Sequence, residues 1–283
     1  MENAPVSQTV IPRPNLPGPI ALLKQAWSVF GKNFWLFLTI ISAPTILAAV
    51  VAVMRAKALP QPLTTTPGGL ILEIVNFLVS ILAGGAIITA GLKLAAGETT
   101  SADQAYRRVF NLFFPFLWLN ILMLLIIWGG TTLLIIPGII LSLCFFFTGF
   151  IFFSGTAKGI DALLLSKDYA KGYTATIFGR LLVVGLILMI PLLLVTIPFG
   201  GTNTVVGTLI ITIVSGVMLQ PLIVLYSLEI FKKIQQIKGV LQPQSSKKAK
   251  RTMYALAVLG LLSGIGLTIL FLKLLAAVPV QMH

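Results

Sequence analysis

Only seven of the 283 residues are acidic, and the chain has one histidine and one cysteine. Each scarcity excludes a class of chemistry. A single thiol, Cys144, cannot close an intramolecular disulfide; it is expected to be a small apolar packing residue. With Cys144 and His283 alone, a zinc site of the Cys/His type cannot be assembled. A Ser-His-Asp arrangement cannot be built around a histidine at position 283, expected on the far side of a membrane from most of the carboxylates. The sequence also lacks a Walker-type phosphate loop and a Gly-x-Gly-x-x-Gly in strand–helix context. A non-enzymatic chain without a cofactor is the expectation from these absences.

Charge is missing in a second, more informative way. Between Val109 and Ala157, and again between Leu181 and Leu228, there is no charged residue at all. A bilayer hydrocarbon core about 30 Å thick needs only about 20 helical residues per crossing. Each run therefore holds two crossings joined by a turn. Charged residues make up 10% of the chain and apolar residues 57%, against about 25% charged in soluble domains. The fold class expected is an all-α membrane protein, a bundle of about seven transmembrane helices. The spans are Phe34–Met54, Leu70–Leu92, Phe114–Ile136, Gly138–Ala157, Leu181–Phe199, Val205–Leu228 and Met253–Leu272. Met1–Pro19, with five prolines and no apolar signal-type core, is expected to be a disordered tail.

What is present is proline, glycine and positive charge. Pro60, Pro62, Pro67, Gly68 and Gly69 separate the first two spans; Pro137-Gly138 splits the first long run. Pro198, Gly200, Gly201 and Asn203 split the second. Irregular backbone is excluded from lipid, so these turns belong at a membrane surface. Of the 20 Lys and Arg residues, 17 fall on one side if the N-terminus is cytoplasmic, leaving Arg55, Lys57 and Lys273 outside. The positive-inside rule then sets the N-terminus inside, the C-terminus outside and the cytoplasmic (inner) membrane as the location. The net charge of +13 is read as basic loops rather than as a nucleic-acid surface. The organisation expected is a tail to residue 19, a six-span domain over 20–238, a basic cytoplasmic linker over 239–252, and the last span with its tail over 253–283.

Amphipathic segments precede the spans in pairs. Ile20–Gly31 sets Ile20, Leu23, Trp27 and Phe30 at helical spacing. Ser101–Phe113 does the same with Ala102, Ala105, Tyr106, Val109 and Phe113, and Asp161–Gly179 is a weaker third. Basic, aromatic amphipathic helices lie in the interface plane. Three units of interfacial helix plus helical hairpin, then one extra span, is the arrangement this suggests.

The stretch Ile136-Pro137-Gly138-Ile139, then Gly159-Ile160-Asp161-Ala162-Leu163, Ser166, Lys171-Gly172 and Phe178 resembles a known family. It is similar to the membrane domain attached to some bacterial glycerophosphodiester phosphodiesterases, and to related uncharacterised inner-membrane proteins of about six spans. Gln25-Ala26-Trp27-Ser28-Val29-Phe30-Gly31-Lys32-Asn33 resembles the way such proteins begin. The resemblance implies a helical bundle in the cytoplasmic membrane and no particular activity, since the phosphodiesterase chemistry sits in a separate soluble barrel that this sequence lacks. Two features depart from the pattern. Members often carry an acidic residue near the end of the fourth span, where this chain has Ser154-Gly155, and the seventh span lies beyond the usual extent.

Two sets of residues are candidates for function. Glu73 is the acidic residue set furthest into a span, with Asn76 nearly a turn later on the same face, and Asn120 and Gln220 in otherwise apolar helices. An intramembrane ionisable group raises the reading of a proton or cation path. Pairing of Glu73 with Arg55 or Lys57 across the outer loop is the structural reading, and helix–helix hydrogen bonds are that reading for Asn120 and Gln220. The second set is Arg107, Arg108, Lys232, Lys233, Lys247, Lys248, Lys250 and Arg251, which with Trp27 and Tyr106 forms a basic, aromatic inner surface suited to anionic phospholipid. Its alternative role is to fix topology. Lys273 lies too near the outer end of its span, and too far from any carboxylate, for a Schiff-base counter-ion arrangement. Pro44, Pro191 and Pro221 are expected to kink three spans. Gly260-x-x-x-Gly264 is expected to serve close packing within the chain. The leading functional expectation is a membrane protein acting through lipid or membrane-protein contacts, with a small-solute or ion transporter as the alternative.

Overall fold

A computed structural model of the chain describes residues 16–57, 66–201, 204–243 and 246–277. Most of the N-terminal tail, Pro60 and Pro62, Asn203 and His283 lie outside these residues, as do the side chains of Lys57 and Lys273. The helices are α1 (Pro19–Lys32), α2 (Phe34–Lys57), α3 (Pro67–Ala95), α4 (Ala102–Asn111), α5 (Phe113–Leu133), α6 (Ile135–Cys144), α7 (Thr148–Phe153), α8 (Gly159–Ala170), α9 (Thr174–Thr196), α10 (Val205–Val214), α11 (Gln220–Lys238) and α12 (Lys247–Ala277). No strand occurs among the described residues. The protein is an all-α, multi-pass membrane bundle.

Local chemistry explains the helix ends. Thr66 Oγ1 accepts from the Gly69 amide at 3.1 Å, Ser101 Oγ from Gln104 at 3.3 Å, Thr204 Oγ1 from Gly207 at 3.0 Å and Ser246 Oγ from Ala249 at 3.1 Å. Each satisfies an orphan donor at a helix start. At the end of α5, Leu134 turns extended (φ −163°, ψ 149°) and α6 begins at once, with Pro137 in its first turn. Its missing N–H falls where a helix has free donors. Gly138 then lets α6 fold back on α5, since a Cβ there would overlap the Thr131 side chain.

Six stretches are long and apolar enough to cross a membrane: Phe34–Arg55, Pro67–Ala95, Phe113–Leu133, Ile135–Phe153, Thr174–Phe199 and Val205–Lys238. Their outward faces carry large apolar side chains, with Trp35 75% exposed, Phe114 78% and Leu194 68%. Such a surface requires lipid as solvent. Short helices precede the spans in order: α1 before α2 and α3, α4 before α5 and α6–α7, α8 before α9 and α10–α11. α12, which holds the seventh expected span, has 31 residues and is about 46 Å long at 1.5 Å per residue. It packs along α5. A Cβ on Gly129 would overlap the Leu256 carbonyl oxygen, and one on Gly260 would overlap that of Leu125. The two backbones are in direct contact, as small residues permit.

The core is aromatic. Phe147 and Phe150 pack on Phe231 at 5.3 and 5.7 Å between centroids, and Tyr169 meets Phe231 edge-on at 5.4 Å. Phe116 and Phe153 lie 4.7 Å apart.

In three places the structure departs from expectation. The fourth span is not one helix: a turn at Phe145–Phe147 divides it into α6 and α7. α8 is not an interfacial amphipathic helix. Ile160, Ala162, Leu163, Leu164, Leu165, Ser166, Tyr169 and Ala170 are all buried, because α5, α6, α7 and α11 pack around it. On α1 the buried face is Leu22, Ala26 and Phe30, while Ile20 is 58% and Trp27 49% exposed. Of the expected face Ile20, Leu23, Trp27 and Phe30, Phe30 is buried and Leu23 half-buried against the core, while Leu22 and Ala26 complete the buried stripe in place of Ile20 and Trp27. Pro44 and Pro191 lie within α2 and α9, and Pro221 follows a π-turn at Ser215–Leu219 that joins α10 to α11.

Candidate functional site

Between the C-terminal end of α2 and the first turns of α3, Arg55 Nε donates to Glu73 Oε1 at 2.7 Å, and its Nη2 lies 2.5 Å from the same oxygen. The Glu73 side chain is 19% exposed and that of Arg55 59%. The carboxylate is thus held at the bundle rim by a cation from the neighbouring helix. Asn76 does not join the pair. Its Oδ1 is buried without a hydrogen-bond partner, and its carbonyl accepts from Ser80 Oγ at 2.7 Å. The Asn120 amide donates to the Phe116 carbonyl of its own helix at 2.8 Å. Gln220 is half-buried at the start of α11. Among the described residues no hydrogen bond links Asn120 or Gln220 to Glu73 or Asn76. Glu73→Gln is expected to keep the fold. It should lower thermal stability in detergent by about 1 kcal/mol, since the Arg55 end of the pair is exposed and screened. A loss several times larger would mean that the carboxylate supports more than this contact.

The basic residues of the second candidate set divide into two groups. Three are engaged within the chain: Arg107 with Asp103 at 2.8 Å, Lys232 with Glu229 at 3.0 Å and Lys250 with Asp161 at 2.8 Å. Lys233 donates to Gln236 Oε1 at 3.2 Å. Arg108, Lys247, Lys248 and Arg251 are exposed and make no ion pair among the described residues. Tyr106 also faces inward. Its hydroxyl donates to the Ile40 carbonyl of α2 at 2.5 Å, and burial pushes its phenol above the ordinary value of 10.0. It therefore anchors α4 to α2 and is withdrawn from the lipid-facing surface. The uncompensated charge gathers on the first turns of α12 and on α4.

Four residues carry structural roles that charge counting did not reveal. Arg180 donates to the Leu16 carbonyl at 2.6 Å and to the Pro17 carbonyl at 2.9 and 3.0 Å, which clamps the chain ahead of α1 onto α9. Lys238 donates to the Asp168 and Lys171 carbonyls at 2.6 and 2.7 Å, satisfying the end of α8. Tyr169 OH accepts from the Leu241 amide at 2.9 Å and holds the chain after α11. Ser166 Oγ donates to the Cys144 carbonyl at 2.8 Å and accepts from the Phe147 amide at 3.1 Å. One hydroxyl therefore satisfies both sides of the break between α6 and α7. Arg180 and Lys238 look like ordinary flanking charges in sequence. A lone serine directly after the apolar run Ala162–Leu165 was the available signal for Ser166. Among the described residues no group of His, Cys, Asp and Glu could hold a metal ion. No family model, no curated protein and no solved structure matches this chain.

Proposed function

We propose that this protein is a non-enzymatic component of the cytoplasmic membrane, with its N-terminus inside and its last span crossing outward. It works through contacts with anionic phospholipid and with other membrane proteins, as a scaffold, envelope-maintenance factor or bilayer sensor. The observation that supports this best is the set Lys247, Lys248 and Arg251 on the first turns of α12, which packs along α5, with Arg108 on α4, all exposed and without ion pairs among the described residues. Fixed cations near a membrane surface attract anionic lipid at about 1 kcal/mol each. The chain's excess of 20 basic over seven acidic residues acts in the same sense. The resemblance of Ile136–Phe178 to a bacterial membrane domain of about six spans agrees with that location.

Protein reconstituted in nanodiscs should enrich phosphatidylglycerol over phosphatidylcholine in its immediate lipid shell, and the enrichment should fall as salt is raised. Replacing Lys247, Lys248 and Arg251 together with serine should lower it by more than tenfold if their contributions add. Enrichment that ignores salt, or no enrichment, would overturn the proposal.

A further inference from the structure

One face of α1 borders an open hollow against α9 among the described residues. Ile20, Leu23, Lys24, Trp27 and Ser28 fall on this face, at helical spacings of three and four. Two hollows meet there. The first, of about 620 Å³, lies between Lys24 and Ser28 on α1 and Ile187, Leu188 and Pro191 on α9. The second, of about 350 Å³, runs onward between Pro191 and Val195 on α9 and Val214, Met218 and Leu219 around the π-turn. Trp27, Leu188, Pro191 and Leu222 border both. The result is an apolar cleft with a single cation at one mouth and hydrocarbon walls beyond it.

Several features define what fits. Lys24 is exposed, and neither its ammonium nor the Ser28 hydroxyl nor the Trp27 indole N–H has a hydrogen-bond partner among the described residues. No acidic residue occurs in α1, in Ile187–Leu192 or in Val214–Leu222, so Lys24 has no carboxylate on the walls around it. An indole half in apolar contact with a free N–H suits the headgroup boundary. A charge-assisted bond from an ammonium to a phosphate is among the stronger polar contacts. The volumes lie in the range of small-ligand sites.

We propose that this cleft binds one phospholipid with an anionic head group. Lys24, with Ser28 and the Trp27 N–H, receives the phosphate, and an acyl chain lies past Trp27 between Pro191 and the π-turn. The site deepens the anionic-lipid reading given above and rests on it, but uses residues separate from Arg108 and Lys247–Arg251.

The test uses the full chain in phosphatidylcholine nanodiscs containing a minor fraction of photoreactive lipid, with the reactive group on the acyl chain. Phosphatidylglycerol and phosphatidylcholine probes of identical chains are compared, and adducts are mapped by peptide mass spectrometry. The phosphatidylglycerol probe should label Leu188–Val195 and Val214–Leu222 in preference to the phosphatidylcholine probe. Lys24→Glu should cut that labelling by about fivefold or more, the worth of one lysine at an anionic surface, whereas Lys24→Arg should retain it. Val214→Trp, which fills the inner hollow, should reduce labelling of Leu188–Val195 with Lys24 intact. Equal labelling by both probes in the cleft, or labelling unchanged in Lys24→Glu, overturns the site. If phosphatidylglycerol preference then persists beside Lys247–Arg251, the wider reading stands without it. If preference is absent everywhere, both fall.

Discussion

Gly260→Leu is expected to detach α12 from α5 and to lower thermal stability by about 3 kcal/mol, at the upper end of what overpacking costs. The reason lies in what faces the glycine. A Cβ at Gly260 meets the Leu125 carbonyl oxygen and comes within 2.9 Å of the Gly129 amide nitrogen, both of them backbone. A side chain can rotate away from an intruding methyl group, but helix backbone cannot without moving the helix. Gly129→Leu should act alike, since its Cβ would meet Leu256 O and lie 2.9 Å from the Gly260 nitrogen. Gly266, in the same helix, has open space where a Cβ would be, so Gly266→Leu serves as the control and should be near neutral. Docking can be followed directly. Trp128 lines the groove between α5 and α12, with its Nε1 4.0 Å from a Cβ built on Gly264. With Trp27, Trp35 and Trp118 replaced by phenylalanine, the emission of Trp128 should shift in Gly260→Leu and hold in Gly266→Leu. Equal behaviour of the two variants would refute backbone contact as the bond between these helices.

The consequence reaches function. α12 carries Lys247, Lys248 and Arg251 on its first turns, and Lys250 ties it to Asp161 at the start of α8. That ion pair has both side chains about one-third exposed and contributes at most about 1 kcal/mol. Packing against Gly129 is therefore what fixes the cationic turns relative to the bundle. Loss of that packing should weaken lipid enrichment without removing a charge.

The spans were legible because hydropathy over about 20 residues is a strong, additive signal. Phe34, Val205 and the C-terminal end of the fifth crossing at Phe199 match the expected limits. The pairing of Glu73 with Arg55 was legible too, because an acid four residues into a span next to a short loop has few cations within reach. Rotation and partner choice were not. α1 presents Ile20, Leu23, Trp27 and Phe30 at helical spacing, yet exposes Ile20 and Trp27 and buries Leu22 and Ala26 beside Phe30. In lipid, the larger apolar residue gains little by facing protein, and the smaller one gains by allowing close approach. α8 buries Ala162–Leu165, in a segment whose spacing shows no strong polar face, because α5, α6, α7 and α11 pack around it. Asn120 and Gln220 were legible as polar but not as separate, since which helix each one faces depends on contacts far apart in sequence.

Ser166→Ala is expected to cost about 2–4 kcal/mol, because a buried donor or acceptor left unsatisfied costs about 1–3 kcal/mol and this change strands two. The fourth crossing breaks at Phe145–Phe147, and a helix break leaves amides and carbonyls without partners. In lipid or in a dry core there is no water to take them. Ser166 is fully buried on α8, and its hydroxyl reaches both the Cys144 carbonyl and the Phe147 amide. Alanine removes one oxygen atom and hardly changes the packing, so a large loss would report the hydrogen bonds rather than the volume. Ser142 supplies the comparison. Its hydroxyl donates at 2.7 Å to Ile139 O, in its own helix, on an exposed face. Ser142→Ala should therefore change stability by less than about 0.5 kcal/mol. Ser166→Cys keeps a weak donor and acceptor of similar size and should fall between the parent and Ser166→Ala. The measurement is thermal unfolding of the three variants in one detergent, with lipid content held constant. Should Ser166→Ala unfold with Ser142→Ala, the break must be satisfied by some other group, and α8 would not be what holds the divided span in shape.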